Sequence, residues 1–232
     1  MQLALLFVLA AAPSTQSWQF QTDGTPRVEI SNVNGSIRVE ATDGDTLKVE
    51  ARQEGSEAER AKYPLKVEQD GDEVVVRLCC GSCGKKNHDC NNPVPTHFTL
   101  KVPRGSSLEV ASVEAPVWVS GVEGAQQVAT VSGDVELKGS RGDLEVAAVG
   151  ADVLLAPAAL TDTEVRTVSG DVRLKLPSGE GAEVEFSSVS GSFNGSEVLL
   201  GSRKQRFGDG AHPVEVSTVS GSLEVRPGAA SM

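Results

Sequence analysis

Apolar residues return along this chain in a fixed five-slot frame. They fall at i, i+2, i+5, i+9 and i+11, most cleanly as Leu144, Val146, Val149, Val153 and Leu155. The same frame holds Val28, Ile30, Val33, Ile37 and Val39, then Leu108, Val110, Val113, Val117 and Val119, then Val214, Val216, Val219, Leu223 and Val225. Three more copies centre on Val131, Val168 and Val189, and only Gln126, Thr163 and Gly195 miss their slots. Positions two apart are the spacing of a strand with one buried face. The step from i+2 to i+5 breaks that alternation and predicts a bend that returns the i+5 valine to the inner face. Ser-Gly-Asp or Ser-Gly-Ser then follows, as after Val131, Val168 and Val219. This is turn chemistry, with Gly free to take positive φ and Asp or Ser bonding nearby backbone. Strand, bend, corner and strand make one coil of a solenoid.

The anchor valines 113, 131, 149, 168, 189 and 219 are 18, 18, 19, 21 and 30 residues apart. Near-constant periods of this size mark stacked repeats. A sandwich of hairpins would give alternation without the recurring break in parity. The expected fold is therefore all-β, a β-solenoid resembling a single-stranded β-helix, with coils of 18 to 21 residues. Two segments interrupt the period. Between the first and second copies, strand-like runs at 46–51, 65–69, 73–78 and 96–102 surround a polar, helix-compatible stretch at 54–62. This reads as a β-rich N-terminal region that caps the stack. The second interruption, 195–212, reads as a projecting loop of the last coil. The expected organisation is a signal peptide at 1–17, the N-terminal region at 18–106, solenoid repeats at 107–227 and a tail at 228–232.

Composition refines the picture at few points. Aromatic residues are only 4% of the chain, so the core must be thin and built from Val and Leu. The run Leu3 to Ala12 is too short to span a bilayer and suits a signal-peptide core, with cleavage after Ser14 or after Ser17. No other apolar stretch approaches the ~20 residues of a transmembrane helix, so an exported protein is expected, in a periplasm or at a cell surface. The net charge of −11 repels nucleic acid and anionic membranes.

Val-Glu-Ile-Ser-Asn-Val-Asn-Gly-Ser-Ile at 28–37, the repeated Thr-Val-Ser-Gly-Asp-Val and the closing Val-Ser-Thr-Val-Ser-Gly-Ser-Leu at 216–223 carry a family resemblance. Across nearly all of the expected mature chain, the sequence resembles a bacterial family of adhesin-like envelope proteins built as β-solenoids. That resemblance implies the fold and a place at the envelope. It implies no ligand and no catalytic residue, and the cysteine-rich stretch lies outside its pattern.

Four cysteines fall close together: Cys79, Cys80, Cys83 and Cys90, with His88 and His97 nearby. In an exported chain they predict two disulfides, with Cys79 and Cys80 each bridging to Cys83 or Cys90. Zinc held by Cys80, Cys83, Cys90 and either Cys79 or His88 is the alternative. Asp134, Asp152 and Asp171 share one slot of successive coils, so stacking would align their carboxylates. That column is either a row of weak Ca²⁺ sites or a set of solvated turn residues. Arg203, Lys204 and Arg206 form a basic spot that could meet an anionic polymer. No Gly-x-Ser-x-Gly elbow or acid–base cluster points to catalysis, and no cofactor is implied. The sequence thus reads as a non-enzymatic binding module that presents a solenoid face to an envelope polymer or protein. The alternatives are a purely structural scaffold and a carbohydrate-active solenoid enzyme.

Overall fold

A computed structural model describes residues 13–83 and 90–228. The expected signal core and the last four residues of the expected tail lie outside these, as does His88. The chain runs through β1 (Ser14–Gln21), β2 (Arg27–Asn32), β3 (Gly35–Thr42), β4 (Thr46–Gln53), α1 (Glu57–Arg60), β5 (Leu65–Asp70), β6 (Glu73–Leu78) and β7 (Thr96–Pro103). It continues through β8 (Ser107–Ser112), β9 (Val117–Ser120), β10 (Gln126–Thr130), β11 (Val135–Lys138), β12 (Leu144–Gly150), β13 (Val153–Ala156), β14 (Thr163–Ser169) and β15 (Val172–Lys175). Three long strands close it: β16 (Ala182–Phe193), β17 (Ser196–Phe207) and β18 (His212–Arg226). The strand-like runs and the helix-compatible stretch of the sequence appear as β4 to β7 and α1. Ser56 caps α1 reciprocally with Glu59, whose carboxyl is held below its usual range by hydrogen bonds from the Ser56 hydroxyl and amide.

Each repeat places its first strand in one parallel ladder and its second strand in another. The first ladder runs β6, β2, β8, β10, β12, β14, β18, β16, and the second runs β7, β3, β9, β11, β13, β15, β18, β16. The long strands β16 and β18 turn the corner and belong to both. Antiparallel strands close the ends: β5 on β6, β4 and β1 beyond β7, and β17 along β16. Slot pairs with slot. Leu108, Gln126, Leu144 and Thr163 lie in one row, and Val117, Val135, Val153 and Val172 in another. These rows and their i+2 and i+11 neighbours form the buried core.

Three features depart from the frame as read in sequence. Stacking order is not chain order at the C-terminal end, where β18 inserts between the β14–β15 rung and β16. A further rung, β6 with β7, stacks on β2 and β3: Val74 and Val76 lie opposite Val28 and Ile30, and Phe98 and Leu100 opposite Ile37 and Val39. The described residues 79–83 and 90–95 lie where its corner would be. Lastly, the segment after Gly195 is not a projecting loop. Asn194 and Gly195 both take positive φ and form the tight turn of a β16–β17 hairpin, with Phe193 opposite Ser196.

Of the seven i+5 valines only Val33 packs, half-buried, against the core; the other six face outward. Val113, Val131, Val149, Val168, Val189 and Val219 are each 40–48% exposed. Alternation instead continues one step further, burying the i+4 residues Ser112, Thr130, Thr167, Ser188 and Thr218. At four of these five positions the hydroxyl donates to a nearby backbone carbonyl; the buried Ser188 hydroxyl has no partner among the described residues. Ser112 Oγ donates to the Ala115 carbonyl at 2.5 Å and Thr130 Oγ1 to the Gly133 carbonyl at 3.1 Å. The bend follows the valine, which is left as an outward column.

Candidate binding site

The four cysteines form two disulfides, Cys79–Cys83 and Cys80–Cys90, with both residues of the adjacent pair buried. They staple the insertion that replaces the corner of the β6–β7 rung. All four sulfurs are used, so no thiolate is left for zinc.

Stacking does align Asp134, Asp152 and Asp171, and each carboxylate is engaged by the next rung. The Asp152 amide donates to Asp134 Oδ1 at 3.1 Å, the Asp171 amide to Asp152 Oδ1 at 2.9 Å, and the Ser222 amide to Asp171 Oδ1 at 2.9 Å. Among the described residues no group of three or more His, Cys, Asp or Glu is disposed to hold a metal ion. Arg203, Lys204 and Arg206 lie on β17. Lys204 Nζ meets Glu185 Oε2 at 2.8 Å, which raises the lysine pKa, and Arg206 donates to the Asp209 carbonyl. His97 links three strands: its Nδ1 is 2.9 Å from Ser36 Oγ and its Nε2 3.3 Å from Glu54 Oε1, an oxygen that Arg52 also reaches at 2.9 Å.

A concavity lies elsewhere, along the leading ends of the first ladder's strands. It is a groove of about 760 Å³ over the starts of β8, β10, β12, β14 and β18, with Arg27 of β2 at one end. Its walls carry six carboxylates, Glu109, Asp143, Glu145, Asp162, Glu164 and Glu215, against the single guanidinium of Arg27. Six strands at ~4.8 Å spacing make it about 24 Å long. Local pattern explains the walls. The residue between slots i and i+2 must point outward, and it is Glu29, Glu109, Glu145, Glu164, Glu185 and Glu215, with Gln127 in the remaining copy. In-register pairing turns that preference into a column.

Several carboxylates of the column are partly neutralised. Arg27 donates to Glu109 at 2.5 Å, and Arg166 bridges Glu164 and Glu145. Asp143 and Asp162 flank the column and, among the described residues, engage only through their backbone carbonyls, each accepting the first amide of a neighbouring strand. The groove therefore keeps a net negative wall. Its signal, a Glu between the first two slots of nearly every copy, was present in the sequence. Spacing alone does not tell such a registered column from scattered surface acids.

The family profile of Toastrack DUF4097 matches residues 95–226. Among solved structures, a candidate cell adhesion protein from Clostridium sporogenes is similar with a TM-score of 0.54 at 12% identity, covering 93% of this chain and 99% of that one. A candidate adhesin from Bacteroides fragilis has a TM-score of 0.45 at 11% identity, over 91% of this chain and 97% of that one. No curated protein sequence matches the chain. At such identities the first likeness speaks for the fold alone, and the second carries no argument.

Proposed function

Because the chain belongs to the Toastrack family, we propose that it is an exported, non-enzymatic binding module of the cell envelope. In this reading the first-ladder groove receives an extended polymer or polypeptide bearing cationic groups. The observation that carries it is the carboxylate wall crossing six strands, with Asp143 and Asp162 free of side-chain partners among the described residues. A row of like charges held by register attracts opposite charge along its length, and such a field gives on-rate and selectivity more than raw affinity.

Two disulfides support an oxidising compartment. Among the described residues no helix is long and apolar enough to cross a membrane. All eight residues of β1 pair with β4, so signal cleavage after Ser14 keeps nearly all of that strand, whereas cleavage after Ser17 removes half of it. We place the mature start at Thr15.

The test is retention of the mature chain on the host's own envelope fraction, compared with the Asp143→Asn/Asp162→Asn variant. Saturable retention that weakens with salt and falls severalfold in the variant is expected. Retention that the variant leaves unchanged overturns the groove, and no saturable retention overturns the binding module. EDTA is expected to change nothing, because each aspartate of the Asp134 column already accepts an amide. Loss in EDTA would return that column to the calcium reading.

A further inference from the structure

The last strand of the stack, β17, pairs on one side with β16 and on the other with nothing among the described residues. A twelve-residue edge of unused amides and carbonyls is a template for another strand. It also carries the two most exposed large apolar side chains among the described residues, Leu199 at 65% and Leu200 at 83%. Leu200 is held at φ 48°, a conformation uncommon for leucine. Both leucines sit at the corner: Leu199 pairs with Ser190, and Leu200 falls at the unpaired position across from Val189, so together they extend the outward valine column to the end of the stack. We propose that β17 pairs antiparallel with β17 of a second copy, joining two solenoids end to end about a twofold axis through this corner.

Face parity selects the register. Residues directly opposite in an antiparallel pair share a face. Phe186, Val184 and Ala182 are buried, so their partners Arg203, Gln205 and Phe207 lie on the inner side of β17, and Ser202, Lys204 and Arg206 on the outer. Before the corner, Val198 is buried and Glu197 exposed. At the corner two consecutive residues, Leu199 and Leu200, point outward. A twofold pairing that matches outer with outer on both arms and through the corner sets Leu199 opposite Leu200 of the second copy. The paired stretch then runs from Ser196 to Arg203 on each strand.

That register also satisfies charge. Glu197 faces the second copy's Ser202, with its Lys204 one diagonal step away, within reach of a long side chain. The basic half of each strand lies along the half of the other that holds its only acid. The two basic halves are on different arms and do not meet. Pairing β17 instead with a strand at the opposite end of the stack would give an open, head-to-tail fibre, whereas the twofold pairing closes at two copies. A dimer would also carry two grooves, so a polymer spanning both would gain avidity.

Analytical ultracentrifugation of the mature chain with its disulfides intact tests the proposal, over roughly a hundredfold concentration range around micromolar. A monomer–dimer equilibrium is expected. Glu197→Lys and Lys204→Glu should each weaken dimerisation about tenfold or more, since each sets like charges together twice in the symmetric pair. An equimolar mixture of the two variants should regain the dimer, because the mixed interface restores opposite charges at both positions. Lys204→Glu also removes the contact to Glu185, so unchanged circular dichroism and melting of both variants are required, and Leu199→Lys supplies an independent disruption. Amide exchange should slow within 196–203 on dimerisation. A wild-type monomer throughout, growth beyond the dimer, a dimer indifferent to these substitutions, or a mixture that stays monomeric would each overturn the proposal.

Discussion

At the scale of single residues, the corner glycines answer to the distance between rungs as well as to φ: Gly170 and Gly221 take positive φ, whereas Gly133 does not. A Cβ at Gly170 would stand 2.1 Å from the Ala151 carbonyl oxygen, and one at Gly133 would stand 2.2 Å from that of Ala115. Stacked coils bring backbone against backbone here, so any side chain must push a rung away. Gly150, one slot earlier, would meet nothing closer than 3.8 Å. Gly133→Ala, at a corner glycine without positive φ, should therefore lower stability by about 2 kcal/mol or more, and Gly150→Ala by less than about 0.5 kcal/mol, read from denaturation midpoints. Equal effects would remove the close-approach argument. The valines make a second contrast. Val128 is fully buried and Val131, three residues on, is 46% exposed. Truncating the first removes two buried methyls and leaves a cavity, about 2–3 kcal/mol, whereas Val131→Ala should cost well under 1 kcal/mol. If Val131 proved as costly, the outward column would be wrong.

At the scale of elements, the disulfides act on the one rung whose corner has been replaced. Without them, residues 79–83 and 90–95 would have to order around few apolar anchors, among them Leu78 and Val94. Closing loops of sequence separation 4 and 10 restricts the unfolded chain by about 2 and 3 kcal/mol. Replacing Cys80 and Cys90 together by serine should thus lower stability by about 3 kcal/mol, measured by urea unfolding. No loss would mean that the insertion is held by other contacts. This rung also shows what the sequence conceals. Val74, Val76, Phe98 and Leu100 obey the slots, but an insertion separates their halves, so no constant offset can find them. The β17 strand was concealed differently. As an edge strand it buries little, so its polar, basic sequence carries no alternation and reads as a loop. Where every rung has two neighbours, from β8 to β15, the frame predicted each strand. It misassigned the i+5 valine because it counted apolar residues alone and overlooked the buried serine or threonine beside it. The carboxylate groove was legible as a Glu between the first two slots. Its significance depended on register, which only the stacked structure supplies.

At the scale of the whole molecule, the order of rungs matters more than their number. In a solenoid stacked in chain order, removing the last coil breaks one interface and exposes one new edge. Here the last strand is interior. β18 pairs with β14 and β15 on one side and with β16 on the other, at sequence distances of 51 and 30. The C-terminal strand therefore holds the β16–β17 hairpin to the rest of the stack, and Asn194 at the hairpin turn accepts the Val225 amide at 2.8 Å. Deleting residues 212–232 should cost far more than one rung. The β14 and β15 edges would be bared together, and β16 would lose its parallel partner along both arms. Hydrogen exchange should report lost protection across 163–207, with the rungs from β2 to β11 less affected. If β16 kept its protection in the truncated chain, it would have re-paired directly with β14 and β15. Matching slots make that re-pairing the competing structure: Val165 and Val172 would receive Phe186 and Phe193 in place of Val216 and Leu223. Such slippage is the hazard of a repeat whose rungs are alike. What separates the two arrangements is fit at each slot, two phenylalanines against a valine and a leucine. Phe186 and Phe193 pack on one another at 5.9 Å in the rung next to the end, where one face of the stack is covered only by β17. The larger side chains thus close the end of the core, and the smaller ones occupy the interior rung.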